Sequence, residues 1–279
     1  MAKPTIALVG AGNLARALAR ALQGAGYRVT TVVARNRAES RRRARVLARQ
    51  VQARVLSRQD AIPGDILWIC VTDDAIASTA AELAAKWNGR IALHSSGALT
   101  SDLLTPLRRR GAAVASLHPM MTFVGRSSPS LSGISFAVEG DPAAVRVARR
   151  IARDLGGSVF DIAKEGKTLY HAMGSFSSPL LIASLAMAEQ VGQAAGLPRR
   201  SIPRIMQPLL RQTLENYFRG GAARAFSGPI VRADVETVRR HLRALKKVPG
   251  ARDIYLALAR SALDTLPVRN RSALRKILK

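Results

Sequence analysis

The chain has 279 residues, 48% hydrophobic and 4% aromatic, enough for a core of Ala, Leu, Val and Ile in one large or two medium domains. Its net charge of +26 is dispersed over runs such as Arg41-Arg42-Arg43, Arg108-Arg109-Arg110 and Lys246-Lys247, with no basic tail and no interleaved aromatics, which argues against nucleic-acid binding and for a solvated face. One cysteine, Cys70, excludes an intrachain disulfide and a Cys-rich metal site; within the apolar run 66–71 it reads as a core thiol, and no metal is expected.

The first strand-like run, residues 5–9, follows the N-terminus so closely that no signal peptide is expected. Further strand-like runs lie at 29–34, 53–56, 66–71, 91–94, 113–117, 135–139 and 158–161. Helical spacing fills the gaps at 14–23, 37–50 and 75–87. Such alternation implies right-handed βαβ crossovers and a mostly parallel sheet. Beyond Glu165 strands give way to Ala/Leu-rich helical segments at 166–195, 202–219, 233–246 and 252–266, separated by Gly- and Pro-containing turns such as Gly220-Gly221. With a Gly-x-Gly-x-x-Ala turn at 10–15 between the first strand-like run and the first helical one, the expectation is an α/β protein: a Rossmann dinucleotide-binding domain over 1–163, then an all-α domain over 164–279 for substrate binding and dimerisation, with a cleft between them. The most membrane-like stretch, 180–188, is about half a membrane span and meets Glu189, so a soluble cytoplasmic protein without membrane contact is expected. The segment 180–195 is apolar over more of its circumference than a surface helix needs, which points to a homodimer through the helical domain.

Val9-Gly10-Ala11-Gly12-Asn13-Leu14-Ala15 is a Gly-x-Gly-x-x-Ala turn that follows the first strand and opens a helix. Gly10 permits the tight turn, Gly12 lets a pyrophosphate approach the backbone, and Ala15 keeps the helix close to the sheet. The helix-start N–H groups of Ala11 to Leu14 are placed to receive the anion. NAD binders usually carry a carboxylate at the end of the second strand, for the ribose 2′-OH. Here that place reads Arg35-Asn36-Arg37, with no acid before Glu39. Two arginines and an amide suit a 2′-phosphate, so the expected cofactor is NADP.

Ligands of such sheets sit at the strand carboxyl ends. Val71-Thr72-Asp73 follows the fourth strand and is expected to line the cofactor groove, with capping of the next helix as the alternative for Asp73. His94-Ser95-Ser96-Gly97 and His118-Pro119-Met120 follow two later strands. Lys167 and His171 stand four residues apart, on one helix face, and are expected to look into a wet cleft. His118 and Lys167 are the candidate catalytic residues, for the proton and for developing charge respectively; Ser95, Ser96 and His171 are candidates for positioning a small substrate.

Together these motifs resemble a bacterial family that pairs a Rossmann-like domain with a helical C-terminal domain of unknown function. It is related to pyrroline-5-carboxylate reductases, deazaflavin-dependent NADP oxidoreductases and β-hydroxyacid dehydrogenases, and its second domain is of the 6-phosphogluconate dehydrogenase C-terminal-like type. The resemblance spans nearly the whole chain. It rests on residues 10–15, 71–76, 94–99, 118–123, Tyr170-His171-Ala172, and 227–234 followed by His241. His118-Pro119 is similar to the His-Pro segment of prephenate dehydrogenases. Lys167 and His171 keep the spacing of the Lys…Asn pair of β-hydroxyacid dehydrogenases, with His in place of Asn, and Ser178 stands where the family commonly has Asn. The resemblance implies hydride transfer between NADP(H) and a small carbonyl, imine or hydroxy compound; the competing reading is a catalytically idle NADP(H)-binding or sensor protein.

Overall fold

The computed structural model describes residues 2–125 and 129–279, in two compact units, Met1–Ser178 and Pro179–Lys279. The first unit runs β1 (Ile6–Val9), α1 (Asn13–Gly24), β2 (Val29–Ala34), α2 (Ala38–Val51), β3 (Arg54–Ser57), β4 (Ile66–Ile69), α3 (Asp73–Leu83) and β5 (Ile91–His94). A 3-10 turn, Ser101–Leu104, leads into α4 (Thr105–Arg108); β6 (Ala113–Pro119), β7 (Ser135–Gly140), α5 (Pro142–Asp154) and β8 (Ser158–Asp161) follow. After a second 3-10 turn comes α6 (Lys167–Ser177).

The strands form one sheet in the order β3-β2-β1-β4-β5-β6-β7-β8, parallel except between β6 and β7. Its central strands are apolar on both sides, as a sheet covered on both faces requires. In β1, Ile6 and Leu8 pack with Leu18, Leu47 and Ile151 of α1, α2 and α5. Ala7 and Val9 face the other way, onto Ile76, Leu83 and Leu107 of α3 and α4. The mostly parallel α/β architecture expected from the sequence is therefore present.

The expected helical segment 166–195 is two helices. Pro179 has no N–H to donate and drives the preceding residue out of the helical region, and Ser178 accordingly sits at φ −132°, ψ −82°. Divided by compactness, the chain breaks here, and α6 belongs with the sheet, held through buried Lys167 and Tyr170.

The second unit comprises α7 (Pro179–Ala194), α8 (Ile202–Ala225), α9 (Val235–Ala244), α10 (Ala251–Thr265) and α11 (Arg271–Arg275). Its core joins Val238 and Leu242 of α9 to Leu256, Ala259 and Leu263 of α10 and Leu274 of α11. The turn expected at Gly220-Gly221 is a kink inside α8, with Gly221 at φ 72°, after which the helix resumes. α7 buries no residue, and α8 buries only Ile202. Among the described residues, no helix is long and apolar enough to cross a membrane.

Candidate functional site

At the end of β1 the chain turns at Gly10, with φ at +104°. A Cβ there would stand 2.6 Å from the Cys70 carbonyl oxygen, so the turn hugs the end of β4 and admits only glycine. The Cys70 thiol is buried, and burial pushes its pKa up, which leaves it unreactive. Gly12 differs. Its backbone is ordinary and extended (φ −75°), and nothing lies within 4 Å of where its Cβ would be. The fold itself does not demand glycine at 12; the open space above it does if a ligand lies against the backbone. Gly12 is also the N-cap of α1, which has no side-chain cap and no acid in its first turn, leaving its N–H groups available to an anion. The Asn13 side chain is committed elsewhere, donating to the Phe123 carbonyl at 2.9 Å, and Leu14 packs against the core.

Gly10, Ala11, Gly12, Arg35, Val71 and Thr72 line one groove. Asn36 and Arg37 are exposed and do not line it; Ser40, Arg43 and Arg58 do. No Asp or Glu contributes to its lining, and Asp73 instead accepts from the Ser96 hydroxyl at 2.8 Å.

Beside this groove the parallel register pairs His94 of β5 with Ser116 of β6, bringing the two polar strand ends together. His94 is fully buried. Its Nε2–H donates to the Thr100 carbonyl and its Nδ1 accepts the Ser96 N–H, both at 3.1 Å, and burial, helped by the Lys167 charge, holds its pKa down to about 4. It is a structural, neutral histidine. Ser95 turns the other way and accepts from Trp68 Nε1 at 2.8 Å, apart from the remaining candidates. The Ser96 hydroxyl also accepts the Leu99 N–H at 3.0 Å, so both its roles are filled within the protein.

Lys167 does not look into a wet cleft as expected. It is 1% exposed. From the first turn of α6 it reaches down onto the sheet, where Nζ donates to Ser116 Oγ (2.7 Å) and to the Ser96 carbonyl (3.1 Å) and stands 3.7 Å from Glu139. Glu139 in turn accepts the N–H and hydroxyl of Ser101 at 2.7 and 2.8 Å. Burial lowers the Lys167 pKa, and Glu139 opposes that shift. The four-residue spacing does put Lys167 and His171 on one side of α6, but at different depths: His171 is exposed.

His118 and His171 flank Gly97, where a Cβ would come within 2.8 Å of His118 Nε2 and of His171 Cδ2. Behind His118, Tyr170 Oη lies 2.8 Å from Nδ1. Burial first, then the charges of Lys167 and His171, bring His118 down to about 4, while burial pushes Tyr170 up to about 12. Both are neutral near pH 7. In the sequence Tyr170 stands out only as part of the motif Tyr170-His171-Ala172, and Glu139 and Ser116 are not among the candidate site residues. A carboxylate closing the apolar run Phe136-Ala137-Val138 was the available signal for Glu139; the roles of the other two become visible only when the fold brings distant segments together.

Residues 1–119 match a Rossmann-like domain, and residues 134–262 match a domain of unknown function, DUF2520. No protein of curated function matches the sequence. Among solved structures, the chain is similar to BF3122 of Bacteroides fragilis, provisionally named an NADP oxidoreductase, at 25% identity and TM-score 0.75, over 93% of this chain and 97% of that one. It shares its fold with an imine reductase from Myxococcus stipitatus in complex with NADP+ (18% identity, TM-score 0.70, 98% and 99% covered). It also shares it with a pyrroline-5-carboxylate reductase from Coxiella burnetii (16% identity, TM-score 0.56, 92% and 97% covered).

Proposed function

For a chain that joins a Rossmann-like domain to a DUF2520 domain, we propose an NADP(H)-dependent oxidoreductase that passes a hydride to or from a small carbonyl, imine or hydroxy compound. The observation that carries this reading is the pairing of an unneeded glycine with open space above it, at the bare N-terminus of α1, with His118 and His171 set on either side of Gly97 at the neighbouring strand ends. The residues fit the cofactor. Gly12 and the first turn of α1 would hold the pyrophosphate, and the acid-free groove with Arg35 would take the adenosine end. Similar solved structures include an imine reductase with NADP+, a reductive aminase with NADPH and an imine reductase variant with NAD+, so the likeness supports a nicotinamide dinucleotide, and the acid-free groove favours NADP(H) here.

When bound, the nicotinamide supplies or accepts the hydride. The chain's own residues orient the substrate and stabilise charge. Tyr170 has no other acceptor among the described residues, so its buried O–H donates to His118 Nδ1. The ring proton of neutral His118 then sits on Nε2, beside Gly97, where it can donate to a carbonyl oxygen as negative charge builds there. Exposed His171, across Gly97, is placed to contact the same substrate. Lys167 is a positioning residue: fully buried, it holds the Ser96 carbonyl and the Ser116 hydroxyl. That Ser95, Ser96 and Lys167 are all satisfied internally is the observation that favours the idle cofactor-binding alternative.

Calorimetric titration with NADPH, followed by a screen of carbonyls and imines for NADPH consumption, tests the proposal. Failure to bind NADPH or NADH overturns it; binding with no turnover across a broad screen, and none in cell extract, leaves the idle alternative.

A further inference from the structure

The β2/β3 register pairs Ala34 with Ser57, which sets Arg58 beside Arg35 where both strands end. Arg58 is held unlike the other basic residues of the groove. Its side chain is 11% exposed, and Nη1 donates to Glu82 Oε2 at 3.0 Å. Its Nε is buried and has no hydrogen-bond partner among the described residues. Native folds rarely leave a buried donor of this kind unmatched, because it has lost water and gained nothing. Arg58 lines the groove together with Gly12, Ser40 and Arg43, while Arg43 is already paired with Glu39.

We propose that Arg58, with the Ser40 hydroxyl, recognises the phosphate on the adenosine 2′-oxygen, and that Glu82 is the positioning residue that presents the guanidinium. The assignment rests on reading the groove as the nucleotide site. It differs from the sequence expectation, which gave this task to Arg35, Asn36 and Arg37, two of which do not line the groove. The orphaned nitrogen chooses phosphate over adenine. Nε–H points in the guanidinium plane and needs an acceptor at its edge, which phosphate oxygens supply; stacking a base on the guanidinium face would leave Nε unmatched.

The test is calorimetry on the full chain with 2′,5′-ADP and 5′-AMP, which differ only in the 2′-phosphate, repeated with NADPH and NADH. The wild type should bind 2′,5′-ADP at least about tenfold more tightly than 5′-AMP, the scale of a charge-assisted contact. Arg58→Met should bring that ratio to within about threefold while leaving 5′-AMP affinity unchanged, and Glu82→Gln should fall between. Arg58→Lys, which keeps the charge but not the fork, should also be intermediate and serves if the Met variant folds poorly. An unchanged ratio in both Arg58 variants, or equal loss for both ligands, overturns the assignment and leaves the nucleotide site standing. If the wild type binds none of the four ligands, the nucleotide reading falls, and this inference with it.

Discussion

The Tyr170 hydroxyl meets His118 Nδ1 at 2.8 Å across fifty-two residues of chain, the two rings edge to face with centroids 5.4 Å apart. A buried hydroxyl donating there leaves the imidazole proton on Nε2, beside Gly97. Once a substrate is known, His118→Ala should lower turnover by roughly 100-fold or more and leave NADPH affinity within a few-fold. Tyr170→Phe keeps the packing but releases the tautomer, so it should lower kcat about tenfold with little change in KM. Steady-state kinetics on both variants decide it; normal turnover in His118→Ala removes that residue from the chemistry.

Gly10 and Gly12 should respond differently to alanine. At Gly10 the positive φ and the Cys70 carbonyl make a side chain costly, on the order of 1–3 kcal/mol of folding stability or more. At Gly12 alanine fits the fold, and its loss of N-cap quality costs at most about 1 kcal/mol. Gly12→Ala should therefore melt close to the wild type yet bind NADPH at least about tenfold more weakly, if a phosphate occupies the open space. Unchanged affinity would mean that no ligand approaches Gly12.

Lys167→Met removes the countercharge of a buried carboxylate. Breaking such a pair typically costs about 3–5 kcal/mol, because the remaining ion is stranded. Glu139→Gln in the same background should recover part of the loss while keeping acceptor capacity toward Ser101. Urea denaturation of the single and double variants measures this. A Lys167→Met protein as stable as the wild type but inactive would show that the ammonium acts on substrate directly.

The neutral histidines make stability depend on pH. His94 and His118 titrate near 6.5 when unfolded and near 4 in the fold, so between these values the unfolded chain holds more protons. Stability should be full above about pH 6.5 and decline as pH falls toward 4. Replacing His118 with Gln should flatten that decline in a series of thermal melts. Equal slopes in the two proteins would refute the depressed value.

The apolar faces of α7 and α8 predict a partner. Ile182, Leu209 and Phe218 are 62%, 69% and 79% exposed, more apolar surface than a monomer ordinarily leaves in water. We expect a homodimer by light scattering at micromolar concentration, and Leu209→Glu with Phe218→Glu should give a folded monomer. A monomeric wild type would rule out self-association as the cover.

The sheet was largely legible in the sequence because most of its strands are short, largely apolar runs: 29–34 and 91–94 appear as read, and the exposed edge strand 158–161 does too, with Val159 and Phe160 between polar ends; the glycine turn at 10–12 follows the first strand. The run 66–71 stops being a strand at Ile69; Cys70 still donates its N–H to the Val9 carbonyl at 2.8 Å, and Cys70 and Val71 line the groove. α5 lies outside the helical segments expected from spacing, and Pro179 divides a pattern that is otherwise helical on both sides. The site was less legible for a physical reason. Whether Lys167 is wet or buried depends on Ser116 and Glu139, and whether Arg58 faces the groove depends on Glu82, all distant in sequence. Spacing along a helix gives the direction of a side chain but not how deep it lies.

Cys70 gives the molecule its own reporter. Its carbonyl closes against Gly10 and its thiol is sealed at the floor of the groove, so an alkylating reagent can reach the sulfur only when the end of β4 opens. With reagent in excess and alkylation faster than reclosing, the labelling rate counts those openings. A ligand seated over the turn must suppress them, so candidate nucleotides can be ranked by the protection they give one sulfur atom, before any substrate is known.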